Sequence, residues 1–298
     1  MILSIKLRSF ILQHEKCNIG LDSLCKQARF FSLIIILSSI FSLSGKNPDF
    51  RILRDEGKGS GIISQYGTNF GFFMPETGGY LLTGIICGER SIWLHEAAKL
   101  KVENQNNGWK VVVSDPIIGK GSVTMTVHPL SSSNGLVLEV TGKNIPDNLD
   151  FLWTYGGCSS RLDSSEKKVF LKPEQCLYNI FSDEINAFTV YYGQSMKLKV
   201  MMGLGPLETV TKLTDAHKLS SPLALWNSDK KTDAPVISAT NKLIAGNKYY
   251  YSIYRQNQEA DYIYQMLPDL FLKELTNKKT KKNEENRGSS GFGPNFHF

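Results

Sequence analysis

Residues 122–128 alternate strictly: Val123, Met125 and Val127 share one face, and Thr124, Thr126 and His128 share the other. A two-residue period belongs to a strand, whose successive side chains point to opposite faces; a helix would scatter these residues around its barrel. One apolar and one polar face mean a strand that packs on a core and shows its back to water. The same rhythm of short apolar runs recurs through 51–54, 62–66, 70–74, 80–87, 100–103, 109–114 and 136–140. It continues through 188–192, 196–202, 235–240 and 248–255, with 222–226 read as one more short apolar run. Glycine, proline and asparagine punctuate the runs, and Pro75-Glu76-Thr77-Gly78-Gly79 has hairpin chemistry. No repeat of fixed period is present. Many short strands with almost no helical spacing predict an all-β chain, a large two-sheet antiparallel sandwich over 46–256.

Helical spacing begins only after Glu259. Ala260, Ile263, Tyr264, Leu267, Leu270, Phe271 and Leu275 recur at three- and four-residue intervals, and Pro268 interrupts them. The expectation is a linker helix over 257–276, kinked or split, leaving the sandwich. The polar, lysine- and glycine-rich stretch 277–298 buries too little to fold and is expected to be a disordered tail.

At the other end, the apolar run 30–43 follows Lys26 and Arg29. It is shorter than the roughly 20 residues that span a bilayer, and Ser42-Leu43-Ser44 precedes Gly45 as a small-x-small cleavage site. Residues 1–45 therefore read as a signal peptide with an over-extended first part, the true start lying near Leu24. The expectation is export to the periplasm or cell surface, with no stable membrane span after cleavage. No cysteine closely follows the run, so a lipid anchor is not supported.

Net charge is +6, but the lysines and arginines are interleaved with acids. The dense run Lys278-Lys279-Thr280-Lys281-Lys282 reads as solvated tail, not as a basic face with stacking aromatics, so nucleic acid is not an expected partner. The five cysteines, Cys17, Cys25, Cys87, Cys158 and Cys176, form no CxxC pair and have no histidine at ligand spacing. No metal and no cofactor are expected. Gly57, Gly59 and Gly61 lack the lysine–hydroxyl pair of a phosphate loop. His95-Glu96 lacks the second histidine of a zincin, and no G-x-S-x-G elbow exists.

Residues 150–179 concentrate unusual chemistry. A strand carrying Trp153 and Tyr155 breaks at Gly156-Gly157, where glycine permits a sharp turn. A polar loop with Arg161 follows, then Val169-Phe170-Leu171, Lys172-Pro173-Glu174 and Cys176. Trp153, Tyr155 and Trp93 are candidate platforms for sugar rings, but aromatics dominate sandwich cores, and Trp153 and Trp93 read first as core residues. Arg161 could fork onto an acidic sugar, and Glu174 is the candidate acid for touching a sugar; a solvated arginine and a strand-end carboxylate are the bland alternatives. Cys158 and Cys176 flank the loop as a disulfide pair or as two buried thiols.

The run Trp153, Tyr155, Gly156, Gly157, Cys158 and Ser159, with 170–176 after it, resembles an uncharacterised family of secreted Bacteroidetes proteins from carbohydrate-utilisation loci. Residues 93–98 and 114–121 fit the same pattern, and the match covers 50–271. Members resemble glycoside hydrolases made of an N-terminal β-supersandwich and a C-terminal (α/α)6 toroid. The resemblance implies a sandwich whose helical partner is missing. In such enzymes the toroid carries the acid and base. The acids at hand, Asp115, Asp163, Glu174 and Asp183, cannot be placed opposite one another from sequence, and no catalytic residue is expected. The implied function is the sandwich domain of a truncated, exported, glycoside-hydrolase-like protein of polysaccharide degradation, not catalytic by itself. Its partners would be a carbohydrate and the missing helical domain. The alternative is a stand-alone carbohydrate-binding or surface sandwich.

Overall fold

A computed structural model of the chain describes residues 50–52, 62–66, 69–73, 79–105, 108–158, 171–177, 179–192, 201–228 and 233–277. All of them belong to the compact unit Pro48–Phe298. The expected signal peptide, the central polar loop and nearly all of the expected tail lie outside the described residues.

Among the described residues the alternating runs build two eight-stranded antiparallel sheets, as the sequence predicts. The first sheet runs β1 (Phe50–Ile52), β2 (Ile62–Tyr66), β3 (Asn69–Phe73), β4 (Tyr80–Cys87), β10 (Leu149–Gly156), β15 (Pro235–Lys242), β14 (Val210–Asp215). A short strand, β5 (Arg90–Trp93), also pairs with β4. The second runs β11 (Asn179–Asp183), β12 (Ala187–Tyr192), β13 (Met201–Leu204), β16 (Lys248–Arg255), β9 (Gly135–Lys143), β8 (Ser122–Pro129), β7 (Gly108–Ser114), β6 (Lys99–Gln105).

The core lies between the sheets. Phe151, Trp153 and Tyr155 from β10 meet Phe188 of β12 and Tyr251 of β16 there. Trp153 sits with ring centroids 5.3 Å from Phe188 and 5.8 Å from Tyr251, tilted and edge-on as aromatic quadrupoles favour. The first sheet is covered on its outer face too, so β4 is buried along its whole length and reads as a continuous apolar run. The second sheet is covered only at one end, which is why β8 alternates.

Two corrections concern helices. Residues 222–226, read in the strand rhythm, form a short helix, α1 (Pro222–Trp226). Ser221 Oγ accepts from Ala224 N at 3.1 Å and Pro222 occupies the first turn, the pairing of N-cap and N1 that starts helices. Five residues are too few for a helical period to show. The C-terminal helix, α2 (Leu267–Thr276), does not leave the sandwich: Leu267, Leu270 and Phe271 are buried against Leu130, Val137 and Tyr254 on the outer face of the second sheet. Pro268 starts this helix instead of kinking it. Among the described residues, no helix is long and apolar enough to cross a membrane, which says nothing of strands.

Candidate functional site

The structure separates the residues that the sequence singled out. Trp153 and Tyr155 are 1% and 0% exposed and offer no face to a sugar, so they are core. Gly79 explains part of this: a Cβ there would stand 2.1 Å from Tyr155 Oη, so only glycine lets the ring close against the strand start. Trp93 is buried as well, its Nε1 donating to Leu219 O at 2.9 Å. Arg161 and Asp163 lie outside the described residues. Glu174 is exposed on the 3-10 turn Pro173–Gln175, which Lys172 N fastens by donating to Gln175 Oε1 at 2.8 Å. Among the described residues Glu174 takes no hydrogen bond or ion pair.

Cys158 and Cys176 are buried thiols, so of the two readings the disulfide is the one the structure does not form. Cys158 N donates to Asn179 Oδ1 at 3.1 Å, and Cys176 Sγ donates to Lys172 O at 3.5 Å. Burial pushes the Cys176 thiol up to about 12, which leaves it without thiolate character. Gly157 turns the chain here with φ +75°, against Leu171 and Tyr80.

A groove of about 610 Å³ lies elsewhere, where the β4–β5 hairpin, the β7–β8 connection and α1 come together. Its walls are the β4–β5 turn with β5 (Glu89, Arg90, Ser91, Ile92), the segment Asp115, Pro116, Ile117, and α1 with its flanks (Ser221, Leu223, Ala224, Asn227). Each wall has a local cause. Gly88, at φ +58°, closes the hairpin that presents Arg90. Ser91 Oγ accepts from Leu223 N at 3.0 Å and ties α1 to β5. A Cβ on Gly84 would stand 2.6 Å from Pro222 Cγ, so glycine lets α1 lie close on β4. Asp115 spends both oxygens on backbone: Oδ1 accepts from Ile117 N at 3.0 Å and Oδ2 from Ala98 N at 2.9 Å.

The groove is therefore lined by one exposed guanidinium, the exposed carboxylate of Glu89 next to it in sequence, an amide at Asn227, and the apolar side chains of Ile92, Ile117 and Leu223. Arg90 takes no ion pair among the described residues. Two histidine arrangements lie outside it. His95 is buried, stacked on Trp93 at 6.5 Å, and burial lowers its imidazole to about 4. His217 Nδ1 meets the buried Asp215 Oδ1 at 2.8 Å. Neither lines the groove. No group of three or more metal-ligating side chains gathers among the described residues. No motif spacing announces the groove, because its walls come from segments far apart in the chain.

The family model described as "Domain of unknown function (DUF4450)" matches residues 74–274. The chain belongs to this family. The DUF4450 match takes in β4 to β16, the groove and most of α2. No curated protein matches the chain. Among solved structures it is similar to a bacterial glucoamylase complexed with acarbose, with a TM-score of 0.44, 12% identity, and coverage of 77% of this chain and 38% of that one. It is similar to the α-N-acetylgalactosaminidase NagBb from Bifidobacterium bifidum, with a TM-score of 0.44, 10% identity, and coverage of 68% and 36%. It is also similar to the heparan sulfate lyase HepC from Pedobacter heparinus, with a TM-score of 0.38, 11% identity, and coverage of 79% and 42%. The DUF4450 chain thus spans about two fifths of the length of the solved structures it matches.

Proposed function

We propose that this DUF4450 chain is the β-sandwich domain of an exported, glycoside-hydrolase-like protein, and that it holds carbohydrate without cleaving it. The groove beside Arg90 is the site of binding. One observation carries the reading: the groove joins a guanidinium and an amide to apolar side chains, and one of its two acids, Asp115, already takes backbone amides on both oxygens. Glycoside hydrolysis takes two carboxyl groups across the scissile bond, roughly 5–10 Å apart, one giving or taking a proton and one attacking or activating water. Asp115 has both oxygens bound by backbone amides, so it is spent on structure. Glu89 stands alone on an exposed turn. A sugar presents hydroxyls to donors and C–H faces to apolar surface, which this groove supplies. The acid and base would come from the helical domain that the sequence resemblance implies.

Titrating the full chain with neutral malto-, xylo- and galacto-oligosaccharides, while following product by chromatography, tests both halves. The expected result is binding without hydrolysis, with Arg90→Gln weakening binding about tenfold, the loss of one charge-assisted hydrogen bond. Reducing ends released by the full chain would overturn the non-catalytic half. Unchanged binding in Arg90→Gln would remove the groove from the reading.

A further inference from the structure

The outer face of the second sheet carries a charged field beside the part that α2 covers. Strand register lines up Lys101, Val112, Thr124, Thr141 and Lys248 in one row across five strands. The next row is Glu103, Lys110, Thr126, Glu139 and Tyr250. Lys99 and Lys143 extend the field one step further along β6 and β9. Every one of these residues is exposed or half-buried, while Val111, Val123, Met125 and Val140 between them point into the core. Helix α2 covers the other end, over Val137 and Tyr254.

Five lysines share this field with two glutamates, and both glutamates are taken. Glu103 Oε1 pairs with Lys101 Nζ at 2.5 Å. Glu139 Oε2 accepts from Lys248 Nζ at 2.9 Å and from Tyr250 Oη at 2.8 Å. Lys99, Lys110 and Lys143 take no ion pair among the described residues. Lys110 stands across from Glu103 and shares its field, so five lysines face two carboxylates, and a net surplus of three positive charges on one flat face favours a polyanion.

The side chains narrow its chemistry. The cations are all lysines. A lysine is a point charge that binds the oxygens of a sulfate or phosphate group without needing a planar, bidentate partner. Thr124, Thr126 and Thr141 stand between them as hydroxyl partners. Nucleic acid would want stacking aromatics. Tyr250 is the aromatic in the two rows, and its ring packs against Phe271 at 5.7 Å.

We propose that this face docks a sulfated polysaccharide, sulfate esters on Lys99, Lys110 and Lys143 and sugar hydroxyls on Thr124, Thr126 and Thr141. The proposal rests on the carbohydrate reading above but uses a face that shares no residue with the groove.

The test is calorimetry of the full chain with dextran sulfate, with unmodified dextran of matched length, and with a single-stranded oligodeoxynucleotide, at low and moderate salt. Dextran sulfate should bind more tightly than dextran, whose neutral glucose units can reach only the groove and whose binding should not respond to salt. The variant Lys99→Gln/Lys110→Gln/Lys143→Gln should bind dextran sulfate about tenfold or more weakly at low salt and show a shallower salt dependence, because fewer counterions are released. Its melting temperature should not move. Arg90→Gln should leave the salt-dependent part of dextran sulfate binding in place. Wild-type-like binding by the triple variant, equal binding of plain dextran, or tighter binding of the oligonucleotide would each overturn the proposal. If Arg90→Gln loses neutral oligosaccharides while the triple variant keeps dextran sulfate, the groove stands and this face falls. The converse pattern removes the groove alone.

Discussion

Glu274 on α2 accepts hydrogen bonds from both the backbone amide and the hydroxyl of Ser131, at 3.0 and 2.7 Å, across 143 residues of sequence. Its side chain has no exposure at all. The turn it grips, between β8 and β9, is held on its other side as well. Ser132 Oγ bonds Tyr262 Oη, Ser133 Oγ donates to Arg255 O, and Asn257 Nδ2 donates to Ser132 O at 3.1 Å. Apolar contact brings α2 onto the sheet, and this polar bolt sets where along the sheet it stops.

Replacing Glu274 by alanine should therefore cost about 2 kcal/mol, since it removes two bonds to a carboxylate and a long third from Asn277, and leaves two half-buried donors on Ser131. Glu274→Gln keeps an acceptor and should lose less than half as much. Urea denaturation of the two variants measures both. Wild-type stability in Glu274→Ala would mean that apolar packing alone docks the helix.

Gly79→Ala should destabilise by at least about 2 kcal/mol, because the new Cβ meets Tyr155 and the backbone there is left-handed. The comparison is Gly119→Ala. Gly119 also has a positive φ, +72°, but a Cβ there meets nothing within 4 Å. It should cost less than Gly79→Ala, about 1–3 kcal/mol from the backbone strain alone. Equal losses at the two sites would show that the contact with Tyr155 is relieved by a small shift.

Legibility in the sequence differs by scale. The sandwich is legible, because burial of one sheet face writes a two-residue period directly into β8, and the apolar run at 248–255 matches β16 residue for residue. Trp153 and Tyr155 were ambiguous, since an aromatic strand looks the same whether it faces a sugar or a second sheet. Only the position of Phe188 and Tyr251 decides it. Strand β11 carries Asn179, Ser182 and Asp183, residues poor in β-propensity, and pairing with β12 overrides that preference. Glu274 falls on the apolar stripe of α2 with Leu267, Leu270 and Phe271, yet as a carboxylate it reads as solvent-facing. The groove was not readable at all: Ser91 and Leu223, which join two of its walls, are 132 residues apart.

The three described cysteines should be inert in the folded protein. Cys87, Cys158 and Cys176 are buried thiols, and burial holds Cys176 far above the range in which it would ionise. With Cys17 and Cys25 replaced by serine, a thiol reagent such as DTNB at pH 8 should titrate none of them until denaturant is added, and then all three. Reducing agent should not shift the melting temperature. A melting temperature that falls on reduction, with one thiol titrating in the unfolded unreduced chain, would show that Cys158 and Cys176 pair after all.

Stability should depend on pH through His95. Burial lowers its imidazole from 6.5 to about 4. Unfolded, the ring takes up a proton near its ordinary value; folded, it does so only near the lower one. Between those two values the unfolded chain binds more protons, so stability falls as pH falls through that window. By pH 4.5 the loss from this residue is on the order of 2–3 kcal/mol. Glu96, whose carboxyl burial pushes up, works the other way: folded, it holds its proton more readily, so it offsets part of the loss at the acid end. Urea midpoints at pH 7 and pH 4.5 should differ in the wild type, and the difference should shrink in His95→Gln, which cannot be protonated. A His95→Gln chain that loses as much stability as the wild type over that interval would assign the acid sensitivity to other groups.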